Sequence, residues 1–342
     1  MKRTGNLFEA ILDRDNLRLA VSKALRGKRE RPDARRFLAR LDQNLVKMAA
    51  GVRAGTFPLG RFHQFIIHDP KERIITAPCF PERVLHHAMM NVCEPVFERW
   101  LIDDTFACRV RRGRLAALQR AQGFAGRFPF FLKLDVRKYF DSIPHDNLLD
   151  RLARCFKDGR LLGLFDRVVR SFRGAIGSGV PIGSLTSQHL ANFYLGWFDR
   201  FVKERLRITG YVRYMDDMAL WANEKSDLRQ ALRHSACFLH DELGLELKPW
   251  PYLNRTDHGT DFLGCRVLRE HTTLNRRSRV RFRRHLRQLE KAFEAGSLSE
   301  GELQERATAL AAFTRTDGIS SWRFRQRVLE HLAVSGPGAL TG

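Results

Sequence analysis

The chain has 342 residues, 44% hydrophobic and 29% charged, a composition that excludes a disordered polymer and implies two or three packed subdomains. Its 60 Lys and Arg face 38 Asp and Glu, for a formal net charge of +22; such an excess opposes compaction unless a polyanion offsets it, so nucleic acid is the expected partner and an anionic membrane surface the second choice. The six cysteines form no Cys-x-x-Cys pair, residues 1–20 carry charge throughout and no segment is apolar over a bilayer's thickness, so buried free thiols in a soluble cytoplasmic protein are expected, with no membrane partner.

Residues 1–34 are basic and polar, and Lys28-Arg29-Glu30-Arg31-Pro32 reads as loop. Asp33 is placed to cap one helix running to about Ala54, on the helical spacing of Phe37, Leu38, Leu41, Leu45 and Met48. Residues 62–78 read as a hairpin, with Phe65-Ile66-Ile67 and Ile74-Ile75 on either side of a turn at Asp69-Pro70-Lys71. A helix from about Glu82 is expected to break near Pro95. The apolar run from Phe130 to Val136 is too short for a helix and predicts a buried strand carrying Asp135 at its end. Helices are predicted at about 145–156, 160–172 and 185–207. From Tyr211 to Trp221, apolar and aromatic residues flank Asp216-Asp217, a pattern of strand, tight turn and strand. A helix at about 227–243 and a strand at about 261–268 follow. From Asn275 onward, Arg276, Arg277, Arg279, Arg281, Arg283, Arg284 and Arg287 crowd together, and helical periodicity to about Leu332 predicts a separate helical subdomain. Gly336-Pro337-Gly338 opens a floppy tail.

Three carboxylates stand where packing alone would not put them. Asp135 ends an apolar strand, while Asp216 and Asp217 share a turn that would more naturally be Asn-Gly or Asp-Gly. Adjacent carboxylates repel, and a hard divalent cation relieves the repulsion through oxygen ligands. Nucleotide polymerisation needs such a cluster, with one metal ion acting on the primer 3′-hydroxyl and a second on the triphosphate and its leaving pyrophosphate. Asp135 and Asp216 are 81 positions apart, so a central sheet would have to join them. The competing reading is a plain polar hairpin turn. Tyr214-Met215 before the pair, strands around it, the strand-end aspartate upstream and the basic charge weigh against it.

Tyr214-Met215-Asp216-Asp217 resembles the catalytic motif of reverse transcriptases. Phe131-Leu132-Lys133-Leu134-Asp135-Val136-Arg137-Lys138-Tyr139-Phe140-Asp141-Ser142-Ile143 resembles an earlier catalytic motif of the same family, and the likeness runs from about residue 55 to 265. The resemblance implies an α+β, right-handed polymerase of fingers, palm and thumb, with an antiparallel palm sheet flanked by helices and a helical thumb. It divides the chain into an N-terminal basic segment and helix (1–54), fingers (55–130 with part of 150–185), palm (131–270), helical thumb (271–335) and tail (336–342). By position, Asp135 and Asp216 are catalytic metal ligands, Val136 lends its carbonyl and Asp217 completes a site for two Mg²⁺ ions, with Mn²⁺ as a substitute. Phe140 stands where an aromatic side chain in the family excludes the 2′-hydroxyl and so selects dNTPs. Lys71 and Arg73 resemble the residues that grip the incoming triphosphate. Arg109, in Phe106-Ala107-Cys108-Arg109, resembles a template contact, although Val110-Arg111 replace the family's Pro-Gly. Tyr214, Met215 and the turn Phe262-Leu263-Gly264, which resembles the primer grip, are expected against primer and template, where Gly264 allows close backbone approach. Arg277, Arg281 and Arg284 are expected on duplex phosphates, with a solvated helix face as the alternative.

The segment Gly179-Val180-Pro181-Ile182-Gly183-Ser184-Leu185-Thr186-Ser187-Gln188 carries Pro-Ile-Gly where many reverse transcriptases have Pro-Gln-Gly. With Ser187-Gln188 it resembles the enzymes of diversity-generating retroelements. Those enzymes copy a template-repeat RNA into cDNA with errors opposite adenines, and the cDNA replaces a variable repeat in a target gene. The resemblance implies an error-prone RNA-directed DNA polymerase with Ile182, Gly183 and Gln188 beside the dNTP. It also implies template RNA, the RNA–cDNA duplex, dNTPs and an oligomeric accessory variability protein as partners. Glutamine can hydrogen-bond a nascent pair, whereas isoleucine only packs. After Gly264, 78 residues remain, so neither an RNase H domain nor an endonuclease is expected. Two rivals stand beside this reading: another bacterial reverse transcriptase, of retron, intron-derived or phage-defence type, and a non-catalytic RNA-binding protein of polymerase fold. The three aspartates count against the second, because a binding module has no need of carboxylates that repel phosphate.

Overall fold

Charge hides the first two helices. α1 (Phe8–Leu12) and α2 (Arg14–Ala24) form where the composition reads as polar, because Leu17, Ala20, Val21 and Ala24 make a narrow buried stripe between charged residues. The Asp13 carboxylate caps α2 by accepting from the Asp15 and Asn16 N–H groups. In this computed structural model the described residues are 2–314, except 69–71, 173 and 175.

The single helix expected from Asp33 to Ala54 is two: α3 (Pro32–Leu38) and α4 (Leu41–Arg53), parted where Arg40 leaves helical geometry at φ −134° and ψ 47°. Asp33 is not the cap. Pro32 starts the helix, and the Asp33 carboxylate accepts from the Phe80 N–H at 3.0 Å, tying α3 to the next long helix. β1 (Phe62–Ile67) and β2 (Arg73–Pro78) pair antiparallel as expected, from Phe62 opposite Pro78 to Ile67 opposite Arg73. The turn between them, with Lys71, lies outside the described residues.

α5 (Phe80–Trp100) runs unbroken through Pro95, against the expected interruption. Beyond the proline, Phe97 meets Phe156, Phe165 and Phe193 at ring-centroid distances of 5.6, 6.5 and 5.1 Å, and this packing outweighs one missing donor. α6 (Arg114–Arg127) is a helix the sequence reading does not assign. β3 (Phe130–Asp135), the short α7 (Tyr139–Ser142), α8 (His145–Ala153), α9 (Gly159–Arg170) and α10 (Leu185–Arg200) follow, and α10 passes into a π-helical turn over Phe201–Arg205. Then come β4 (Gly210–Tyr214), β5 (Asp217–Ala222), α11 (Lys225–Leu243) and β6 (Tyr252–Arg255). The strand expected at 261–268 is a folded pair, β7 (Thr260–Phe262) and β8 (Cys265–Val267), joined at Leu263-Gly264 and continued by β9 (Thr272–Leu274). α12 (Arg276–Glu294) and α13 (Glu300–Phe313) end the described part, and the helix and tail expected beyond 314 lie outside it.

The central sheet is antiparallel, in the order β4-β5-β3-β6. Strand alternation puts Leu132, Leu134, Met218, Leu220 and Tyr211 on one face, in the core shared with α10 and α11. Phe131, Ala219, Trp221 and Val212 occupy the other face, covered by α6, β8 and the inner side of α12. The mixed helix-and-sheet architecture agrees with the expected α+β class. The basic helix α12 is held against the sheet through Phe282 and Leu286. No described helix is long and apolar enough to cross a membrane. Cys93, Cys155 and Cys265 are buried, whereas Cys237 is exposed, contrary to a uniformly buried set.

Candidate active site

Period-two alternation along β3 puts Lys133 and Asp135 on one face at the open end of the sheet. Asp135, the last residue of β3, stands opposite Asp217, the first of β5. The β4–β5 hairpin closes through Met215 and Asp216, with Tyr214 opposite Asp217. Register thus joins the three aspartates across the 81 positions that separate Asp135 from Asp216. Met215 takes a left-handed φ of +56°, a conformation rare for a bulky side chain and typical of functional turns.

The cluster is half-buried: the Asp135 and Asp217 side chains keep 40% and 29% of their surface exposed. Burial pushes the Asp217 carboxyl up to about 6; Lys133 opposes the shift, while Asp216 and Asp135 add to it. Asp216 is also raised, by burial first and Asp135 next, against the pull of Lys248 and Arg73. Lys133 Nζ lies 3.2 Å from Asp217 Oδ1 and donates to the Asp261 carbonyl in β7. Lys248 pairs with Asp135 Oδ2. Asp135 Oδ1 is buried without a partner, and Asp217 Oδ1 is buried with only the Lys133 ammonium beside it. Bare buried carboxylate oxygens are costly unless a cation takes them, and oxygen donors are what Mg²⁺ and Mn²⁺ prefer, so this donor set fits a divalent ion. Among the described residues no three acidic, His or Cys side chains close on a single point as they stand. The two lysines hold the carboxylates instead and would give way to a cation. Val136 faces Leu247 in an isolated antiparallel bridge flanked by Arg137 N–H to Glu246 O and Lys248 N–H to Asp135 O. Its own carbonyl therefore points away from that strand.

A second group of residues gathers beside this cluster. Phe140, partly buried in α7, accepts through its carbonyl from the Val180 N–H at 2.8 Å. The Ile182 carbonyl accepts from the Thr76 N–H at 2.7 Å, which ties β2 to the 179–183 segment. Gly183 has φ +118°, and a Cβ there would stand 2.7 Å from Ile75 Cγ2. Ser184 Oγ pairs with His86 Nδ1 at 3.1 Å, and burial pushes His86 down to about 3. One turn earlier on α5, the Glu82 carboxylate accepts from the N–H groups of Gly60 and Arg61, both at 3.2 Å, and anchors the hairpin root. Arg73 is exposed at the start of β2, close enough for its charge to act on Asp216. Gln188 is exposed and 3.8 Å from Cys108 Sγ.

Arg109 is placed differently from its expected role against the template. Its side chain is 5% exposed, pairs with Glu98 at 2.9 Å and donates to the carbonyls of Ile102 and Thr105 at 2.6 and 2.9 Å. It is an internal tie across the end of α5, because two carbonyls and a carboxylate converge there to satisfy a guanidinium. Tyr214 packs against the second core cluster, and Phe262 is buried within it. Leu263 and Gly264 turn at φ +49° and +78°, with their carbonyls held by Arg114 Nε at 2.9 Å and Asn275 N–H at 3.1 Å. On α12, Ser278, Phe282 and Leu286 face inward. Arg277, Arg281 and Arg284 share a neighbouring stripe, on which Arg277 and Arg284 are exposed.

Sequence reasoning missed Lys133, Lys248 and Arg213. Lys133 was within reach, since a residue two before a strand-end aspartate shares its face. Arg213 was also signalled, because a charged residue inside an apolar strand requires a partner. Lys248 reaches Asp135 only through tertiary pairing.

The profile of the family described as reverse transcriptase (RNA-dependent DNA polymerase) matches residues 68–267. Protein YkfC of Escherichia coli K12 is 27% identical over 165 residues, covering 45% of this chain and 42% of that protein. The group II intron-encoded protein LtrA of Lactococcus lactis subsp. cremoris is 24% identical over 172 residues, covering 47% and 28%. The chain thus spans less than half the length of these curated relatives. The solved apo telomerase from Candida Tropicalis aligns with a TM-score of 0.49 and 10% identity over 82% of this chain and 60% of that one. With 200 of 342 residues inside the matching profile, the chain belongs to the reverse transcriptase (RNA-dependent DNA polymerase) family.

Proposed function

We propose that this chain is an RNA-directed DNA polymerase, a nucleotidyltransferase acting at Asp135, Asp216 and Asp217. The observation that carries the reading is the cross-strand pairing of Asp135 with Asp217 beside a strained turn holding Asp216, with Asp135 Oδ1 buried and without a partner. The three carboxylates and the Val136 carbonyl would hold two Mg²⁺ ions, or Mn²⁺ in their place. Bound there, the ions supply positive charge to the primer 3′-oxygen and the triphosphate. Arg73, and Lys71 beyond the described residues, bind the triphosphate. Phe140 packs beside the sugar, Gly183 gives the nucleotide close access to backbone, and Gln188 lies on the same side. Tyr214, Met215 and the Phe262-Leu263-Gly264 turn position the primer end, and the α12 arginines follow the duplex. In this division β1–β2 belongs to the fingers, the β4-β5-β3-β6 sheet to the palm and α12–α13 to the thumb.

Within that activity we favour the error-prone enzyme of a diversity-generating retroelement, working with template-repeat RNA and an oligomeric accessory protein. The support is Ile182 in the Pro181-Ile182-Gly183 segment next to the hairpin. An intron-type enzyme is the second reading, favoured by the likeness to LtrA. The test is cDNA synthesis by the purified chain on a primed RNA with scattered adenines, given Mg²⁺ and dNTPs. Synthesis is expected from the wild type and is expected to fall by about 10³-fold or more in Asp216→Ala. Errors clustered opposite adenines support the retroelement reading; accurate products move the chain to the intron type. No synthesis by the wild type with its own RNA and accessory protein would overturn the polymerase.

A further inference from the structure

Arg213 has no exposed surface and lies directly beneath the Met215-Asp216 turn. In β4 its side chain leaves the face opposite Tyr214 and enters the core against α10. Nε and Nη2 donate at 2.6 Å each to the two oxygens of Asp199, which is itself fully buried. The hydroxyls of Tyr211 and Thr105 also donate to Asp199, both at 2.6 Å. Nη1 reaches Asn192 Oδ1 at 2.9 Å and the Met215 carbonyl at 3.0 Å, and Nη2 reaches the Asn192 carbonyl at 2.9 Å. All five N–H groups of the guanidinium therefore find acceptors. Burial opposes the charge on Arg213, but Asp199 outweighs it and the pKa stands above its ordinary value.

A buried ion pair is a weak device for stability, since well-packed apolar residues serve as well or better. A planar fork can do what apolar packing cannot: hold an aspartate on one edge and a specific backbone carbonyl on another. That carbonyl belongs to Met215, whose left-handed backbone persists only where its surroundings over-determine it. The next residue is Asp216.

We propose that Arg213, clamped by Asp199, is a positioning residue that fixes the Met215-Asp216 turn and so aims the Asp216 carboxylate at its cation. The inference rests on the reading of Asp216 as a catalytic metal ligand and adds the means by which that ligand is held. Arg213→Lys keeps a charge beside Asp199 but lacks the fork that spans Asp199, Asn192 and Met215 together. Three quantities are measured on the full chain: Mn²⁺ binding by electron paramagnetic resonance, kcat for primer extension, and primer–template affinity. Arg213→Lys is expected to weaken Mn²⁺ binding about tenfold and lower kcat about 10- to 100-fold, with duplex affinity unchanged. Leu239→Ala, a buried substitution in α11, is the control for lost stability and is expected to lower the melting temperature with Mn²⁺ affinity and kcat unchanged. If Arg213→Lys leaves Mn²⁺ affinity intact, or loses kcat no more than Leu239→Ala, the positioning role is overturned. Should Arg213→Lys fail to fold, Asn192→Ala, which removes an acceptor flanking the Met215 bond, is held to the same criteria. Wild-type Mn²⁺ binding and extension in Asp216→Ala would instead overturn the reading beneath the proposal.

Discussion

Ile182 and Gly183 divide their labour between side chain and backbone. Ile182 joins β2 through its carbonyl, which accepts from the Thr76 N–H, so changing its side chain leaves that tie in place. Ile182→Gln is therefore a clean test of fidelity: errors opposite template adenines should fall in sequenced extension products, and an unchanged error rate sinks the idea that Ile182 relaxes selection. Gly183 is the opposite case. At φ +118°, with Ile75 Cγ2 2.7 Å from the place of a Cβ, Gly183→Ala should cost about 1–3 kcal/mol in denaturant unfolding and raise KM for dNTP. A variant as stable as wild type would show that the Ile75 side chain yields. Among charged residues, Asp135 was legible from the end of an apolar run. The fate of Arg109 was not, because the Glu98 carboxylate and the two carbonyls that consume it converge only in three dimensions.

At the scale of elements, α5 is the beam on which the β1–β2 hairpin and the start of α10 hang. Glu82 holds the root of the β1–β2 hairpin, and His86, one turn later, holds Ser184 at the start of α10. Burial pushes His86 down to about 3 from 6.5, so below pH 6.5 the unfolded chain binds a proton that the folded chain refuses. His86 thus contributes stability that is fully present above pH 6.5 and is lost as the pH falls toward 3, at up to about 1.4 kcal/mol per pH unit. Glu82, raised by burial, acts in the opposite sense over its own window. In urea melts through the acid range, His86→Gln should flatten the loss of stability by about one proton's worth; a slope equal to wild type would mean that His86 is solvated or protonated in the fold. The helix itself was half legible: its start near Glu82 was evident, but its passage through Pro95 depended on Phe165 and Phe193 from two other helices and Phe156 from the segment after α8.

For the whole molecule, the charge of +22 is arranged by packing. α12 buries Ser278 and packs Phe282 and Leu286 into the cluster on the Phe131 and Trp221 face of the central sheet, which commits Arg277 and Arg284 to solvent. If those arginines meet duplex phosphates, Arg277→Gln and Arg284→Gln should each weaken primer–template binding irrespective of sequence. Each should also reduce the slope of log affinity against log salt by about 1. A slope unchanged in the double variant would return α12 to a solvated face.

By itself the sequence determined what neighbouring residues can encode: the hairpins at 62–78 and 211–221, the buried strand ending in Asp135, the helices α8 to α11 and the basic surplus. These follow from periodicity and turn chemistry over a few residues. Tertiary structure decided the rest. The register of β3 on β5 sets Asp135 against Asp217, Lys133 and Lys248 come to rest on those carboxylates, and Asp199 from α10 closes on Arg213. Charge partners of this kind are chosen by long-range pairing and by the cost of leaving a buried ion alone, and neither is written in local sequence.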